Sequence, residues 1–347
     1  MSVKVLTPFI LVFLWACSQQ SSEHVKQEPI LEPSTSFNTY WYNSKAEITS
    51  YHLEQPRYGE YRSGNAVLIF VTEPFSKTRF VKLDQPDKKD GVSVLKCNLM
   101  KNFDTGIYPY SLMQSVFTPV TSYQIPASLK LTLSNQEWCG QYFTSIMNQD
   151  DYLSYFSQSY FEGEELIKKK MPKYLLEDEV WNIIRINPDE LPEGDQMVIP
   201  SMLTQQMRHK ELKAEKATLS LFQNPQDSSL YTYRIVYHSI NRELKIHFKS
   251  AFPHEIQSWE ETFISGNGKN AQPMTAKATL NKRMMVDYWN KNRNEDAYLR
   301  GSEGLNIDKS QNIEFPSVLN GTLEQKTHQS NFIKFPDSQS SEKSPLK

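Results

Sequence analysis

The sequence is poor in glycine, and it has no excess of charge of either sign. Its 347 residues include 12 glycines, and 38 basic residues stand against 40 acidic ones, which gives a net charge of −2. A nucleic-acid-binding domain normally concentrates lysine and arginine on one face. We therefore expect no nucleic-acid partner. The length suits one large domain or two small ones.

The sequence also lacks the motifs of common cofactor, nucleotide and metal sites. It contains no Gly-x-Gly-x-x-Gly, no Walker Gly-Lys-Ser/Thr and no Gly-x-Ser-x-Gly, which mark dinucleotide sites, phosphate sites and hydrolase nucleophiles. His238, His247 and His254 lie within seventeen residues of one another, but familiar metal sites have tighter histidine spacing or paired cysteines. We expect no cofactor, no metal and no enzymatic activity. A hydrolase built from scattered groups is the weakest alternative.

No hydrophobic run is long enough to span a membrane as a helix. Residues Val5 to Ala16 form an apolar run of twelve residues, whereas a spanning helix needs about 20. Such a run behind a lysine suits the central region of an export signal. Residues Leu14-Trp15-Ala16-Cys17 then resemble the bacterial lipoprotein box, in which a small residue precedes the cysteine. The resemblance implies cleavage after Ala16 and acylation of Cys17; the alternative is an ordinary secretory signal with a chance cysteine.

This resemblance also implies a location. We predict a lipoprotein signal peptide at residues 1–16 and a flexible, polar tether at residues 17–36. Ser18 is not the aspartate of an inner-membrane retention signal, and no acidic run follows Cys17. The expected location is therefore the outer membrane, with the chain anchored through acylated Cys17 and facing the periplasm. Display on the cell surface is the alternative.

Two of the three cysteines remain if Cys17 carries lipid. Cys97 and Cys139 are 42 residues apart, and a disulfide between them would stabilise the fold by ~4 kcal/mol in the chain-entropy model. The alternative is two buried thiols that act as small hydrophobic side chains. Cys139 also lies in the most enzyme-like stretch, Ser134–Gln141. No histidine is near it in sequence to serve as a base, so we expect a structural role for this stretch.

Strand-like runs separated by turns recur along most of the chain. Aromatic residues make up 12% of the sequence, which favours strands, and the regular spacing of the runs indicates an antiparallel meander. Ala66–Val71 predicts a buried strand, Arg242–Lys249 alternates apolar and polar residues, Arg79–Asp84 predicts a further strand, and Ser63–Asn65 predicts a hairpin turn. Residues 173–185 have apolar residues at helical spacing.

These patterns predict a mainly β protein: an antiparallel curved sheet or half-barrel in two halves with a central helix. We expect a β-rich envelope domain at residues 37–305, with halves at about 37–171 and 186–305 around the helix at 173–185. Residues 306–347 are polar and aperiodic, and we expect a disordered tail there. The acidic residues Glu177–Glu179 are expected on a solvated face of the helix.

Aromatic residues crowd the first half of the chain. On a curved sheet such side chains can line a groove for an acyl chain or an apolar peptide, although aromatic residues more often fill the core. The candidate groove residues are Tyr108, Tyr110, Phe117, Phe143, Tyr155 and Phe156.

Six stretches of the sequence carry a further resemblance: Tyr58–Tyr61, Ala66–Glu73, Lys101–Ser111, Gln136–Gly140, Leu176–Trp181 and Ile186–Pro188. Together they resemble an uncharacterised lipoprotein family of the Bacteroidota whose members are often labelled "septum formation inhibitor Maf". Genuine Maf proteins are nucleotide pyrophosphatases with an α/β fold and a Ser-x-Ser-Pro-Arg-Arg loop. This sequence has no Ser-Pro-Arg-Arg, so we assign no Maf site to any residue. The strand–helix–strand plan is also similar to lipoprotein carriers of the LolA/LolB type.

The sequence therefore predicts a non-enzymatic envelope lipoprotein that binds or carries an apolar ligand. A structural component that binds another envelope protein through a sheet edge or an aromatic surface is the main alternative. An enclosed cavity would favour the first function, and an exposed aromatic patch would favour the second.

Overall fold

A computed structural model describes residues 33–306 of the chain, apart from 86–88, 122–123 and 267. The predicted signal peptide, the cleavage site at Ala16, the lipidated Cys17 and the C-terminal tail beyond residue 306 lie outside the described residues, as does most of the tether. Among the helices of the described part, none is long and apolar enough to cross a membrane.

The described residues form fifteen strands and four short α-helices. The first eight strands are β1 (Ala46–Arg57), β2 (Glu60–Ser76), β3 (Gly91–Thr105), β4 (Tyr108–Pro119), β5 (Lys130–Glu137), β6 (Gly140–Asn148), β7 (Leu153–Ser159) and β8 (Leu166–Met171). The others are β9 (Leu175–Leu176), β10 (Gly194–Ile199), β11 (Glu215–Gln223), β12 (Leu230–Tyr237), β13 (Arg242–Lys249), β14 (Ile256–Ser265) and β15 (Gln272–Val286). The helices are α1 (Thr35–Trp41), α2 (Val180–Ile186), α3 (Met202–Met207) and α4 (Tyr298–Ser302).

All fifteen strands belong to one curved, open sheet, which confirms the predicted mainly β, antiparallel fold. Strand β1 lies at the centre and pairs with both β2 and β15. From there, β2 to β8 follow in chain order towards one edge, and β15 back to β9 follow towards the other. The pairing is antiparallel except between β9 and β10, which run parallel.

The connection between the two edges explains why the sheet curves. Residues 172–174 alone join β8 at one edge to β9 at the other. Fifteen strands laid flat at about 4.8 Å spacing would separate the edges by roughly 67 Å, whereas the chain from Met171 to Leu175 spans at most ~14 Å. The sheet must therefore bend until its edges are close.

The concave side of the sheet encloses a central segment, which we define as residues 175–186 and 198–207. Every side chain in this segment except that of Ile186 is buried. Trp181 packs edge-on against Trp259 with ring centroids 5.2 Å apart. The Asn182 amide donates to the carbonyl oxygens of Leu95 and Val116 at 3.0 and 3.3 Å. The segment is thus fixed to strands on the sheet's inner face.

The helix expected at residues 173–185 is shorter than predicted. Leu175–Leu176 form strand β9, because they pair with Val198 and Ile199 of β10. Glu177–Glu179 form one turn of 3₁₀-helix, and the α-helix begins only at Val180. The expectation that Glu177–Glu179 face solvent is wrong, since all three are buried.

Three further expectations are corrected. Ser63–Asn65 is not a turn but lies inside β2, where Gly64 allows close approach to β3: a Cβ there would lie 2.3 Å from the carbonyl oxygen of Asn102. Arg79–Asp84 forms only one bridge, between Phe75 and Lys82, rather than a strand. Helix α1 begins at Thr35, inside the predicted tether, because the Ser34 hydroxyl accepts from the Phe37 N–H and caps it.

Candidate functional site

A cavity of about 340 Å³ lies at one end of the sheet. Its walls come from the end of β1 and the β1–β2 turn, from β3, from β14 and the turn after it, and from α3 with the three residues that follow. The side chains of Tyr58, His209 and Lys210 are exposed where the cavity opens. We call this space the end cavity.

Two glycine turns shape one wall of the end cavity. Tyr58 and Gly59 both have positive φ, at 58° and 80°, which allows a two-residue turn between β1 and β2. Gly266, with φ of 88°, begins the turn after β14. The Gly59 N–H donates to the Ser265 hydroxyl at 3.3 Å, so the two turns are held together.

A buried network of charged side chains lies beneath the end cavity. The Arg242 guanidinium donates to both oxygens of Glu177, and its Nε donates to Glu261 Oε1 at 2.8 Å. Lys101 Nζ lies 3.8 Å from Glu261 Oε2, and the Thr204 hydroxyl donates to Glu261 Oε1 at 2.6 Å. Two cations, Arg242 and Lys101, and two carboxylates, Glu177 and Glu261, thus hold α3 and the 3₁₀ turn that begins at Glu177 against strands β3, β13 and β14.

The charges in this network change the proton affinity of their neighbours. Burial opposes ionisation of Glu261, but Arg242 and Lys101 outweigh it and lower the pKa of this carboxyl to about 2. Burial lowers the pKa of Lys101, although Glu261 opposes the shift. Burial together with the Glu177 charge raises the pKa of the Asp178 carboxyl to about 7.

Two arginines in the end cavity have no carboxylate partner among the residues the structure describes. Arg57 lies over the rings of Tyr58 and Tyr110, at 4.4 and 5.1 Å from their centroids, and donates to both hydroxyls and to the Met207 carbonyl oxygen. Arg208 is half-buried, and its guanidinium makes no hydrogen bond or ion pair within the described ranges. Positive charge therefore accumulates in the cavity.

A second buried ion pair is far from the end cavity. Arg185 Nη1 and Nη2 donate to Glu47 Oε1 and Oε2 at 2.6 and 2.7 Å, and Arg283 Nε lies 3.6 Å from the same carboxylate. Glu47 and Arg57 are ten residues apart on β1, which is about 33 Å along a strand. This pair anchors α2 to the middle of the sheet and takes no part in the cavity.

The structure does not bring together the candidate disulfide pair, Cys97 and Cys139. Both are free; Cys97 is buried in β3, and Cys139 is exposed in the turn between β5 and β6. Cys97 pairs with Val116 of β4, and Val116 pairs with Leu131 of β5, so Cys97 and Leu131 lie at the same position along their strands. Cys139 lies beyond Glu137, which is itself roughly 20 Å farther along β5. A disulfide needs Cα atoms within about 7 Å.

The six aromatic residues proposed to line an apolar groove do not share a face of the sheet. Tyr110 and Tyr155 belong to the main core on the concave side, and Tyr108 packs against that core. Phe117 packs instead on a second cluster with Phe75, and Phe143 contacts Phe156 on that same outer side. The two sets separate because neighbouring residues of a strand point to opposite faces.

No side chain in the described part of the chain makes a hydrogen bond with the Cys139 thiol. The nearby carboxylate of Glu137 accepts from the Cys139 backbone N–H at 2.7 Å. No group of three or more His, Cys, Asp or Glu side chains within the described residues is placed to hold a metal ion.

Sequence reasoning missed every charged residue of the site. The available signal was position: Arg242 shares the strand face of Leu244 and Ile246, and Glu261 shares that of Trp259 and Phe263. A charged residue on an apolar face indicates a buried ion pair.

No protein-family model matches the chain, and no curated protein or solved structure is significantly similar to it.

Proposed function

We propose that this chain is a lipid-anchored envelope protein that binds a small ligand in the end cavity and catalyses no reaction. The observation that carries the proposal is the cavity itself, about 340 Å³ in volume, at the lower end of the roughly 300–1,000 Å³ of ligand sites. Its walls are held by the buried charge network, which favours a preformed site. Leu203, Met207 and Phe263 provide an apolar part of the lining.

The proposed location follows from the resemblance of Leu14–Cys17 to a lipoprotein signal. Acylated Cys17 would hold the chain at the outer membrane, with the folded domain in the periplasm. Membership of the Bacteroidota lipoprotein family is part of the same proposal, and it is supported by the stretches named for it above. Two or more acyl chains on one residue suffice for stable anchoring.

Ligand binding is tested by native mass spectrometry of the protein purified from cells under mild conditions. We expect a bound species of small mass, and we expect Met207→Trp to remove it, because Met207 lines the cavity. Met197→Trp is the matched control, since Met197 is 38% exposed and not part of the cavity. A parent protein without any bound species, or equal occupancy in both variants, would contradict the proposal.

Anchoring is tested by incorporation of labelled palmitate in cells. The parent chain should be labelled and Cys17→Ser should not. Cys139→Ser is the control, because Cys139 is an exposed thiol that could also accept an acyl group. Equal labelling of Cys17→Ser and the parent would show that Cys17 is not the anchor.

A protein-binding role is the second candidate, favoured by exposed aromatic side chains on hairpin turns. Trp138 and Tyr160 are 70% and 74% exposed, and they lie together at the same end of the sheet, beside Cys139. Large exposed apolar side chains often mark protein interfaces. A photo-crosslinking residue placed at position 138 should trap an envelope protein, and one at exposed Arg293 should not. No adduct at 138, or the same adduct at both positions, would argue against this role.

A further inference from the structure

We infer that the ligand of the end cavity carries an oxyanion, a carboxylate or a phosphate, which binds to Lys101, Arg57 and Arg208. This inference rests on the proposed binding function and names the chemistry of the ligand.

The lining of the end cavity has an excess of positive charge. Arg57, Lys101, Arg208 and Lys210 contribute four cations, and Glu261 contributes the single carboxylate. His209 also lines the cavity, but its Nδ1 lies 3.1 Å from the Glu164 carboxylate. The charge of Glu261 is already shared between Arg242 and Lys101. An anion entering the cavity would therefore meet unbalanced positive charge in a partly desolvated space, where electrostatic attraction is stronger than in water.

Lys101 lies at the floor of the cavity with weak contacts for a buried ammonium. It is 3% exposed, and its Nζ is 3.5 Å from Gln55 Oε1 and 3.8 Å from Glu261 Oε2. An ammonium has three donors, and N–H···O bonds are normally 2.7–3.2 Å long. A buried charge is unfavourable unless it is fully paired. An oxyanion in the cavity would complete the contacts of Lys101.

The two arginines supply donors on the wall of the cavity. The Nε atom of Arg57 is buried and makes no hydrogen bond among the described residues. Arg208 also makes no hydrogen bond or ion pair there. Burial and the nearby charge of Arg242 lower the pKa of its guanidinium, although the charge of Glu261 opposes the shift. Guanidinium groups bind carboxylates and phosphates with paired, charge-assisted hydrogen bonds. A cationic ligand would find only the already paired Glu261.

The inference is tested by calorimetric titration of the detergent-solubilised full chain at low ionic strength. The probes are inorganic phosphate and succinate, which distinguish a phosphate site from a carboxylate site. We expect at least one probe to bind, and Arg208→Gln to weaken its binding tenfold or more. Because Arg208 has no hydrogen-bond or ion-pair partner among the described residues, this variant should fold. Arg293→Gln is the control, because Arg293 is an exposed residue outside the cavity. This variant should bind the probe with the same affinity as the parent protein.

The result separates this inference from the proposed function. If native mass spectrometry finds a ligand that Met207→Trp excludes, while neither probe binds, the cavity binds ligand but the oxyanion inference is wrong. The same conclusion follows if a probe binds equally to the parent and to Arg208→Gln. If a probe binds and Arg208→Gln weakens it, the inference stands. If neither probe binds and no native ligand is found, both proposals fail.

Discussion

The buried carboxylate of Glu47 is stable as a charged group because it has a partner of opposite charge. Glu47 is fully buried and accepts two hydrogen bonds from Arg185. The Arg185 guanidinium also lies over the rings of Trp41 and Phe70, 5.0 and 4.8 Å from their centroids. Removing one member of such a pair leaves the other as an unpaired charge in the core, which is far more unfavourable than removing both.

We predict that Glu47→Gln lowers the free energy of unfolding by about 3–5 kcal/mol, because Arg185 would remain buried without its counter-charge. Urea denaturation followed by tryptophan fluorescence measures the change. Asp195→Asn is the control: Asp195 pairs with Lys216 on the surface, where both side chains are more than half exposed, and its midpoint should not move. Equal midpoints for Glu47→Gln and the parent would refute the prediction.

Asp178 and Glu179 should make stability depend on pH in the opposite sense from the ion pairs. Burial and Glu177 raise the pKa of Asp178 to about 7, and burial raises the pKa of Glu179 to about 7. Both carboxyls titrate near 4 in an unfolded chain, so their stabilising effect is complete below about pH 4 and is lost as the pH rises through about 7. Glu47 and Glu261, with pKa values lowered to about 2, stabilise above about pH 4 and lose that effect in stronger acid.

We predict that Asp178→Asn reduces the fall in unfolding free energy between about pH 5 and about pH 8 by on the order of 1 kcal/mol or more. The asparagine oxygen can still accept from the Met202 N–H, which is 2.9 Å from Asp178 Oδ2, so packing is retained. Denaturation curves at both pH values measure the effect. Asp151→Asn, an exposed carboxyl, should behave as the parent does. If the pH dependence of Asp178→Asn matches that of the parent, Asp178 does not titrate in this range.

At the scale of the element, the β2–β3 pair depends on one close approach. Gly64 lies opposite Phe103 in the pairing register. A Cβ at position 64 would lie 2.3 Å from the carbonyl oxygen of Asn102 and 2.8 Å from Phe103 Cβ. Neither the backbone of a central strand nor a fully buried ring can move easily. The pair of strands therefore requires glycine here.

We predict that Gly64→Ala destabilises the protein by about 1–3 kcal/mol through overpacking. Gly301 in α4 provides the matched control, because a Cβ there meets nothing within 4 Å. Gly301→Ala should be neutral or stabilising by up to about 1 kcal/mol, since alanine favours helix over glycine. Thermal unfolding measured by circular dichroism compares the two. Equal shifts for both variants would show that contact at position 64 is unimportant.

The elements that the sequence predicted well are those whose pattern is local. Strand β13 lies at the predicted residues, and its apolar residues Leu244, Ile246 and Phe248 are buried. The acidic turn of the central segment could not be predicted in this way. Glu177 is neutralised by Arg242, 65 residues away, and Glu179 accepts from the Ser128 N–H, 51 residues away. Partners at such separation leave no periodic signal, so the turn resembled a solvated helix face.

The end cavity escaped prediction for the same reason. Its lining combines the end of β1, Lys101 of β3, helix α3 and Glu261 of β14, and only the order of the strands and the curvature of the sheet bring these together. The aromatic groove was predicted from crowding in sequence. Crowding does not determine which side of a strand a residue occupies, and alternation placed the candidates on both sides.

At the scale of the whole molecule, the centre of the sheet joins the two ends of the folded chain. Strand β1 pairs with β15 over nine residue pairs, such as Ala46 with Val286. Residues after α4 add to this closure: the Glu303 and Leu305 carbonyl oxygens accept from Ser50 at 2.8 Å and from Asn65 at 2.9 Å. Pairing of segments so distant in sequence is typical of slow-folding β proteins. It also joins the two runs of strands, β2 to β8 and β9 to β15, so that we expect them to unfold as one cooperative unit.

We predict that a chain ending at Asn306 unfolds cooperatively at the same temperature as the full chain, whereas a chain ending at Gly266 loses cooperative unfolding. The shorter chain lacks β15, so β1 loses its partner on one side and Glu47 loses the nearby Arg283. Circular dichroism and hydrogen exchange measure the outcome. Amides of β1 and β2 should lose protection from exchange in the shorter chain. Without β15, strand β1 becomes an edge strand with unpaired backbone groups, and it holds β2 less firmly. If β1 and β2 stayed protected without β15, strands β1 to β8 would fold by themselves, and the sheet would consist of two independent halves.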